Sequence, residues 1–301
     1  MTDATSHHPR FAYLLMAICP ALFCSNMIMA KAMVGILPPL MMACLRWALV
    51  GVVLSIALWP QMQRHTEAIM AEWKSWMFLG GLGMGLCGGP VYLAAELTTA
   101  TNIGLIYATS PLLMLMISVL FFAHRLMASQ FVGLVMGLGG VGWILIRGDL
   151  GRLADLQLNG GDLWICMCTL AFAVYSVGLK QIPSQLPALV RLAMMAFGGA
   201  IWHLPFVVAE LTIWGREFVP SWQIVYGLIV LVFVASLGAY VTYGKIVELV
   251  GAPRAGVVLY IVPVYNAGLA LMLLGESLSS FHIIGTALIL PGVWLANRSA
   301  A

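Results

Sequence analysis

Eight polar side chains lie inside apolar runs of this chain, where they could form hydrogen bonds with a small molecule. They are hydroxyl or amide residues: Asn26, Tyr92, Tyr107, Tyr175, Ser236, Tyr240, Tyr243 and Tyr260. Polar groups inside apolar helices are costly to bury, so they are functional candidates by default. A tyrosine combines an apolar ring with a hydroxyl, which suits a pocket for an amphipathic metabolite. The alternative is that these residues are interfacial anchors or form bonds between helices.

Four charged residues fall at the predicted ends of apolar segments. We place Lys31 and Glu96 at the outer ends of the first and third segments, and Lys180 and Glu248 at the inner ends of the sixth and eighth. One ion pair at each mouth would close one side at a time, as alternating access requires. In the other interpretation, all four side chains extend to the lipid headgroups and never meet.

The sequence offers little to catalysis or metal binding. An intramembrane serine protease needs Gly-x-Ser-x-Gly and a membrane histidine, for which His203 is the mid-segment candidate. The aspartates needed for an aspartyl protease fall instead in loops, tails or, for Asp162, at a helix end. The six cysteines have neither zinc-ligand nor disulfide spacing. We therefore predict no enzymatic activity, no cofactor and no metal.

Composition places most of the chain in lipid. Of its 301 residues, 62% are hydrophobic and 8% are charged, and the mean hydropathy is +1.00. A soluble domain carries about 25% charged residues. The net charge of +3 comes from scattered basic residues, so nucleic acid is not an expected partner.

Polar breaks divide the chain into ten apolar segments. They are Phe11–Ala30, Pro38–Trp59, Trp76–Leu97, Thr101–Phe122, Ser129–Arg147, Gly161–Lys180, Ala188–Ala209, Trp222–Val247, Ala252–Leu274 and Ser280–Leu295. Nearly all have the length of about 20 residues that a spanning helix needs. Because lipid offers no hydrogen bonds to the backbone, each segment must be helical. We predict an all-α integral membrane protein with ten transmembrane helices.

The segment 96–141 recurs as 248–293, 152 positions later and without a gap. The matched pairs include Glu96 and Glu248, Pro111 and Pro263, and Gly133 and Gly285. The first and sixth segments correspond at an offset of 149, which pairs Lys31 with Lys180. A duplicated hydrophobic unit is typical of secondary transporters, with the substrate site between the repeats. Pro111 and Pro263 are predicted to bend equivalent helices at that site.

The repeats predict three parts: a first five-helix unit at 1–147, an external linker at 148–160 and a second five-helix unit at 161–301. Because five is odd, the second unit must be inverted relative to the first. Basic residues favour cytoplasmic termini, with nine assigned inside and five outside. The five assigned outside are Lys31, Arg46, Arg147, Arg152 and Arg216.

Several motifs resemble one transporter family. They are Ser25-Asn26 with Lys31, Pro38-Pro39, Leu45-Arg46-Trp47, Ser110-Pro111 and Gly275-Glu276-Ser277-Leu278. In order and spacing they resemble the EamA family of the drug/metabolite transporter superfamily, over nearly the whole chain. The resemblance implies ten helices in inverted repeats and secondary transport of a small metabolite, most often export. One departure is Ala123-His124-Arg125-Leu126, where the family usually has Gly-Glu-Arg-Leu.

These observations predict a transporter in the inner cell membrane that exports a small amphipathic metabolite, such as an amino acid or related compound, by alternating access. The expected partners are this substrate, the lipid bilayer and, as the candidate coupling ion, the proton. The protein is expected to be a monomer or a homodimer. The alternatives are metabolite uptake, an intramembrane enzyme and a channel-like membrane subunit.

Overall fold

The computed structural model describes residues 9–122, 127–151, 159–250 and 257–296, and within these ranges the chain is helical and contains no strand. The α-helices are α1 Pro9–Ala32, α2 Pro39–Ala57, α3 Trp59–Arg64, α4 Thr66–Ala71, α5 Trp73–Gly80, α6 Gly89–Leu97, α7 Ala100–Tyr107, α8 Ser110–Phe122, α9 Ala128–Leu145, α10 Gly160–Gln181, α11 Ala188–Thr212, α12 Trp222–Ile229, α13 Ala239–Val250, α14 Val257–Leu274 and α15 Ser280–Ala296. Two further segments, Gly81–Leu86 and Val230–Gly238, are π-helical.

Eight helical stretches of the described chain are long and apolar enough to cross a membrane. They are Phe11–Ala32, Pro39–Ala57, Trp73–Leu97, Ala100–Phe121, Ala128–Leu145, Gly160–Gln181, Ala188–Thr212 and Trp222–Tyr243. Two shorter apolar helices, Ile261–Leu274 and Ser280–Leu295, follow them. The predicted all-α membrane class is confirmed, and the count of ten spans stays a prediction.

Helices begin at equivalent positions in the two halves of the chain. At the offset of 149, the equivalent first residues are Pro39 and Ala188, Trp73 and Trp222, and, for the π-helical segments, Gly81 and Val230. At the offset of 152, α9 begins at Ala128 and α15 at Ser280. The two offsets seen in the sequence therefore also relate helix boundaries. Each half carries its π-helical segment at the same place.

Helices α9 and α15 meet backbone to backbone through glycines. A Cβ on Gly140 would lie 3.0 Å from the carbonyl oxygen of Gly285, and a Cβ on Gly292 would lie 2.7 Å from that of Gly133. Small residues of this kind let membrane helices approach closely. Because Gly133 corresponds to Gly285 and Gly140 to Gly292, exchanging the two halves converts one contact into the other. The two helices run antiparallel.

Carboxylates of the second half cap helix N-termini of the first. Glu210, at the end of α11, is fully buried and accepts hydrogen bonds from the N–H groups of Leu40 at 3.2 Å and Met41 at 2.9 Å. Glu276 accepts from the first two N–H groups of α7, at 2.7 and 3.1 Å. A helix N-terminus has unpaired N–H groups and a positive dipole end, so a carboxylate there is stabilising. These caps join the two halves.

The structure corrects the placement of Arg46. It was assigned to the outer side with the loop charges, but it lies about two turns into α2 and is only 5% exposed. Polar groups from neighbouring helices surround the guanidinium and compensate its burial. The predicted cytoplasmic location of both termini remains a prediction, and Arg46 no longer counts toward it.

Candidate substrate-binding site

A cavity of about 320 Å³ lies between the two halves of the chain. Helices α1, α2, α6, α7 and α8 contribute from the first half, and α10, α13, α14 and α15 from the second, together with both π-helical segments. Of the residues predicted for a site, it is lined by Asn26, Tyr107, Pro111, Tyr240 and Tyr243. The volume lies at the lower end of the range for small-molecule pockets, about 300–1,000 Å³. It fits a small metabolite.

Arg46, which was not among the residues predicted for a site, is the charged residue among the described residues that line the cavity. Its Nε donates to Oγ of Ser236 at 2.9 Å. Its Nη1 donates to the hydroxyl of Tyr92 at 2.8 Å and also to Oδ1 of Asn26. The guanidinium lies 4.6 Å from the centre of the Trp47 ring, within the range of a cation–π interaction. Side chains of α1, α6 and the second π-helical segment thus hold one arginine of α2.

The hydroxyls around Arg46 are oriented by their own donors. The Tyr92 hydroxyl donates to Oδ1 of Asn26 at 3.0 Å, and that of Ser236 donates to the carbonyl of Leu231 at 2.8 Å. Both oxygens therefore present lone pairs to the guanidinium. Tyr92 and Ser236 are 1% and 2% exposed, so they lie behind Arg46 rather than in the cavity wall. Their role is to position the arginine.

Arg46 has no carboxylate partner among the described residues. The carboxylate of Glu96 pairs instead with Arg216. No described residue that lines the cavity is acidic. Three of the five guanidinium N–H groups are used by Ser236, Tyr92 and Asn26, while Nη2 makes no hydrogen bond to the described residues. The cavity therefore contains a positive charge with unused donors.

Aromatic rings form much of the remaining wall. The Phe23 ring lies 6.2 Å from that of Tyr240 and 6.1 Å from that of Tyr243. The rings of Tyr107 and Phe172 are 6.3 Å apart. The hydroxyl of Tyr107 donates to the carbonyl of Cys87 at 3.2 Å. One end of the cavity is thus polar, and the walls beside it are aromatic and apolar.

Other predicted site residues lie elsewhere. Tyr175 is 5% exposed and packs behind Phe172, at 5.9 Å between ring centres. Pro263 is within α14, where its neighbour Val262 lines the cavity. The side chains of Tyr260 and Glu248 are outside the described part of the structure. Lys180, in the last turn of α10, is exposed.

The ion pair between Lys31 and Glu96, one of the two interpretations of these charges, is not formed in this structure. Nζ of Lys31 donates to the carbonyls of Ala95 at 2.7 Å and Thr98 at 2.8 Å. Lysine is favourable there because helix C-termini carry unpaired carbonyls and a negative dipole end. Glu96 instead binds Arg216 through both carboxylate oxygens, with Nη2 at 2.9 Å from Oε2. Arg216 follows α11 in a loop, and sequence spacing gave no indication of this partner.

A second polar cluster, also missed from sequence, links α7, α10 and α15. The fully buried carboxylate of Asp162 accepts from the hydroxyl of Thr98 and from Nδ2 of Asn102, the latter at 3.0 and 3.1 Å. Oδ1 of Asn102 lies 3.0 Å from Nε2 of His282, whose Nδ1 accepts the N–H of Ser279 at 3.0 Å. Nε2 is therefore the protonated ring nitrogen.

A second cavity, of about 360 Å³, adjoins this cluster. The charged residues in its lining are Lys31, Glu96, Arg147 and Glu276. It differs from the first cavity because it carries both signs of charge and few aromatic side chains. The signal that could have identified the cluster is the presence of Asp162 and His282 in the first turns of otherwise apolar helices.

Comparison with known proteins gives a consistent result over the whole chain. Residues 10–146 and 159–298 each match the EamA-like transporter family. YetK, an uncharacterized transporter of Bacillus subtilis, is 22% identical over 292 residues, covering 94% of this chain and 86% of the relative. A probable amino-acid metabolite efflux pump of Salmonella typhimurium is 24% identical over 180 residues, covering 58% of this chain and 59% of the relative. The chain of one solved crystal structure has a similar fold to this chain, with a TM-score of 0.63 and 23% sequence identity, and the match covers 96% of each chain.

Proposed function

Because the chain belongs to the EamA-like transporter family, we propose that it exports a small amphipathic metabolite, an amino acid or a related compound, across the inner membrane by alternating access. As a member of this family it is a multi-pass membrane transporter, and its partners are a small-molecule substrate and the lipid bilayer. Export is supported by the similarity to a relative named as an efflux pump.

The observation that carries this proposal is the cavity between the halves. Its wall combines Arg46 and Asn26 at one end with aromatic rings such as Phe23, Phe172 and Tyr240. A few convergent polar groups in a largely apolar pocket are typical of small-molecule sites. An amphipathic molecule, with one polar end and an apolar body, matches this arrangement.

The contacts between the halves support two inverted repeats. Replacing each glycine at the contact of α9 with α15 by its equivalent in the other half turns the contact of Gly140 with Gly285 into that of Gly292 with Gly133. Both halves also contribute to one cavity. Inverted repeats around a central site provide two alternative arrangements of equal geometry, one open to each side of the membrane. Ten spanning helices and cytoplasmic termini complete this proposed topology.

Metabolite profiling followed by reconstitution tests the proposal. Cells that overproduce the protein should accumulate at least one small metabolite in the medium, and proteoliposomes should transport that compound with saturable kinetics. Transport with and without an imposed pH gradient tests protons as the coupling ion. A compound depleted from the medium would indicate uptake, and a chemically altered product would indicate an enzyme. Non-saturable, ungated flux would indicate a channel.

A further inference from the structure

Arg46 is a permanent positive charge held in the low-dielectric interior of the protein. Arginine stays protonated in proteins, and this side chain is only 5% exposed. Burying a charge is costly unless it is paired, yet its described partners are neutral: Asn26, Tyr92 and Ser236. The charge is therefore solvated by dipoles but has no counterion among the described residues. An anion bound beside it would supply that counterion.

The orientation of the guanidinium indicates where such an anion would bind. Nε and Nη1 are held by neighbouring side chains, so the planar group cannot rotate away. Nη2 retains its two N–H donors, and Arg46 lines the cavity. The amide Nδ2 of Asn26 likewise makes no hydrogen bond to the described residues, and Asn26 lines the same end of the cavity. Two preoriented donors are thus available at one end of the cavity.

The charge balance of the lining restricts the anion. Arg46 is the one charged residue among the described residues that line the cavity. A dianion such as a phosphate monoester would bring two negative charges to one positive charge. A cation without a carboxylate of its own, such as a simple amine, would face the arginine with no acidic side chain to bind it. A single carboxylate matches both the charge and the donors.

We propose that Arg46 binds the carboxylate of the substrate, and that the cavity selects monocarboxylates with an apolar body over the corresponding amides and amines. This inference rests on the proposed function, because it assigns a substrate class to the cavity of that transporter. Nη2 of Arg46 and Nδ2 of Asn26 donate to the carboxylate. The rings of Phe23, Tyr107 and Phe172 contact the apolar body. Tyr92 and Ser236 are positioning residues that act through Arg46.

Binding of matched compounds to the full-length protein in lipid nanodiscs tests the proposal without any mutation. The probes are 3-phenylpropionate, 3-phenylpropionamide and 3-phenylpropylamine, with 4-methylpentanoate and its amide and amine as a second body. Their affinities are compared by isothermal titration calorimetry at pH 7, where the acids are anionic, the amides neutral and the amines cationic. We expect the carboxylate to bind at least about tenfold more tightly than the amide. The amine should bind most weakly.

Two substitutions assign the selectivity to Arg46. Arg46→Gln should make the carboxylate and the amide bind equally, whereas Arg46→Lys should keep a preference for the carboxylate because the charge remains. Arg64→Gln is the matched control, since Arg64 is exposed on α3. The ratio of its carboxylate affinity to its amide affinity should equal the ratio measured for the original protein. If Arg46→Gln does not fold, the carboxylate-to-amide affinity ratios of the unmodified protein and of Arg46→Lys still test the proposal.

Three results would overturn the proposal: equal binding of acid and amide, tighter binding of an amine, or no binding of the carboxylate in either series. Failure of the proposed function is distinguishable from these. If an exported substrate is identified that has no carboxylate, the transporter stands and the role of Arg46 falls. If carboxylates bind selectively but no compound crosses reconstituted membranes, the transport proposal falls and the binding site stands.

Discussion

Nε of Arg46 lies 2.9 Å from Oγ of Ser236. The arginine belongs to α2 in the first half of the chain, and the serine belongs to the π-helical segment Val230–Gly238 in the second. In that segment the serine hydroxyl bonds to the carbonyl of Leu231, five residues earlier, which is the spacing of a π-helix. A displacement of the second half would therefore change the orientation of the one charged group in the described cavity wall.

Ser236→Ala should destabilise the protein by about 1–2 kcal/mol, because the buried Nε of Arg46 loses its acceptor. The measurement is the midpoint of thermal unfolding in detergent micelles, read by intrinsic tryptophan fluorescence. Ser55→Ala is the control, since the Ser55 hydroxyl is buried without a hydrogen-bond partner in the described structure. Equal effects of the two substitutions would show that the bond to Arg46 contributes nothing.

Tyr107→Ala should weaken binding of the transported substrate by about 5- to 150-fold, because a cavity ring is lost. Tyr107→Phe keeps the ring and removes the hydroxyl that donates to the carbonyl of Cys87, so it should retain most of the affinity. The dissociation constants are measured with purified protein in nanodiscs. If phenylalanine is as damaging as alanine, the hydroxyl rather than the ring is the important group.

Gly140→Ala should destabilise the protein by about 1–3 kcal/mol, because its Cβ would overpack a close helix contact. That atom would meet Cγ1 of Ile289 at 2.8 Å and the carbonyl oxygen of Gly285 at 3.0 Å. The adjacent Gly139→Ala places its Cβ in open space and should be neutral or stabilising, since alanine is the better helix former. Thermal unfolding of the two variants side by side makes the comparison. A stable Gly140→Ala protein would contradict tight packing of α9 on α15.

Glu96 should be energetically coupled to Arg216 and not to Lys31. The pair is partly exposed, at 35% for Arg216 and 24% for Glu96, so removing it should cost no more than about 1 kcal/mol. Double-mutant cycles with Glu96→Gln, Arg216→Gln and Lys31→Gln measure the two couplings through unfolding midpoints. Coupling of Glu96 with Lys31 and not with Arg216 would contradict this prediction and favour the ion-pair interpretation of Lys31 and Glu96.

The contribution of Arg216 to stability should not depend on pH in the neutral range. Its side-chain hydrogen bond with Glu96 is the main factor that raises the pKa of Arg216 above its ordinary value. A raised folded-state pKa gives a contribution that is fully present below the unfolded value and is lost only as the pH rises through the folded value. Added salt should weaken the pair, because exposed charges are screened.

The helices were largely predictable because a membrane imposes a simple rule on sequence. Lipid requires long apolar helices, and polar breaks mark where they end. Asn26, Tyr107, Tyr240 and Tyr243 were predicted as cavity residues, and they line the cavity. A polar side chain inside an apolar run is most easily accommodated between helices, which accounts for the location of these four residues, and their role in substrate binding stays a prediction.

The lateral partners of charged residues were not predictable in the same way. Hydropathy gives the depth of a residue along a helix but not which neighbouring helix it faces. Matching depths made an ion pair between Lys31 and Glu96 one of two interpretations, yet Glu96 faces a loop arginine 120 positions away. Arg46 was assigned to the outer side when the basic residues were counted for topology. Its neutral partners come from α1, α6 and the second π-helical segment.

The two halves have equivalent helix starts but differ at the position of the cavity charge. Pro38 and Pro187 both precede the first turn of equivalent helices. At the same offset of 149, Arg46 of the first half corresponds to the buried Met195 of the second. Met195 is packed in the hydrophobic core and does not line the cavity, whereas Arg46 does. The second half thus carries an apolar thioether where the first half carries the cation, and Arg46 is the one charged residue among the described residues that line the cavity.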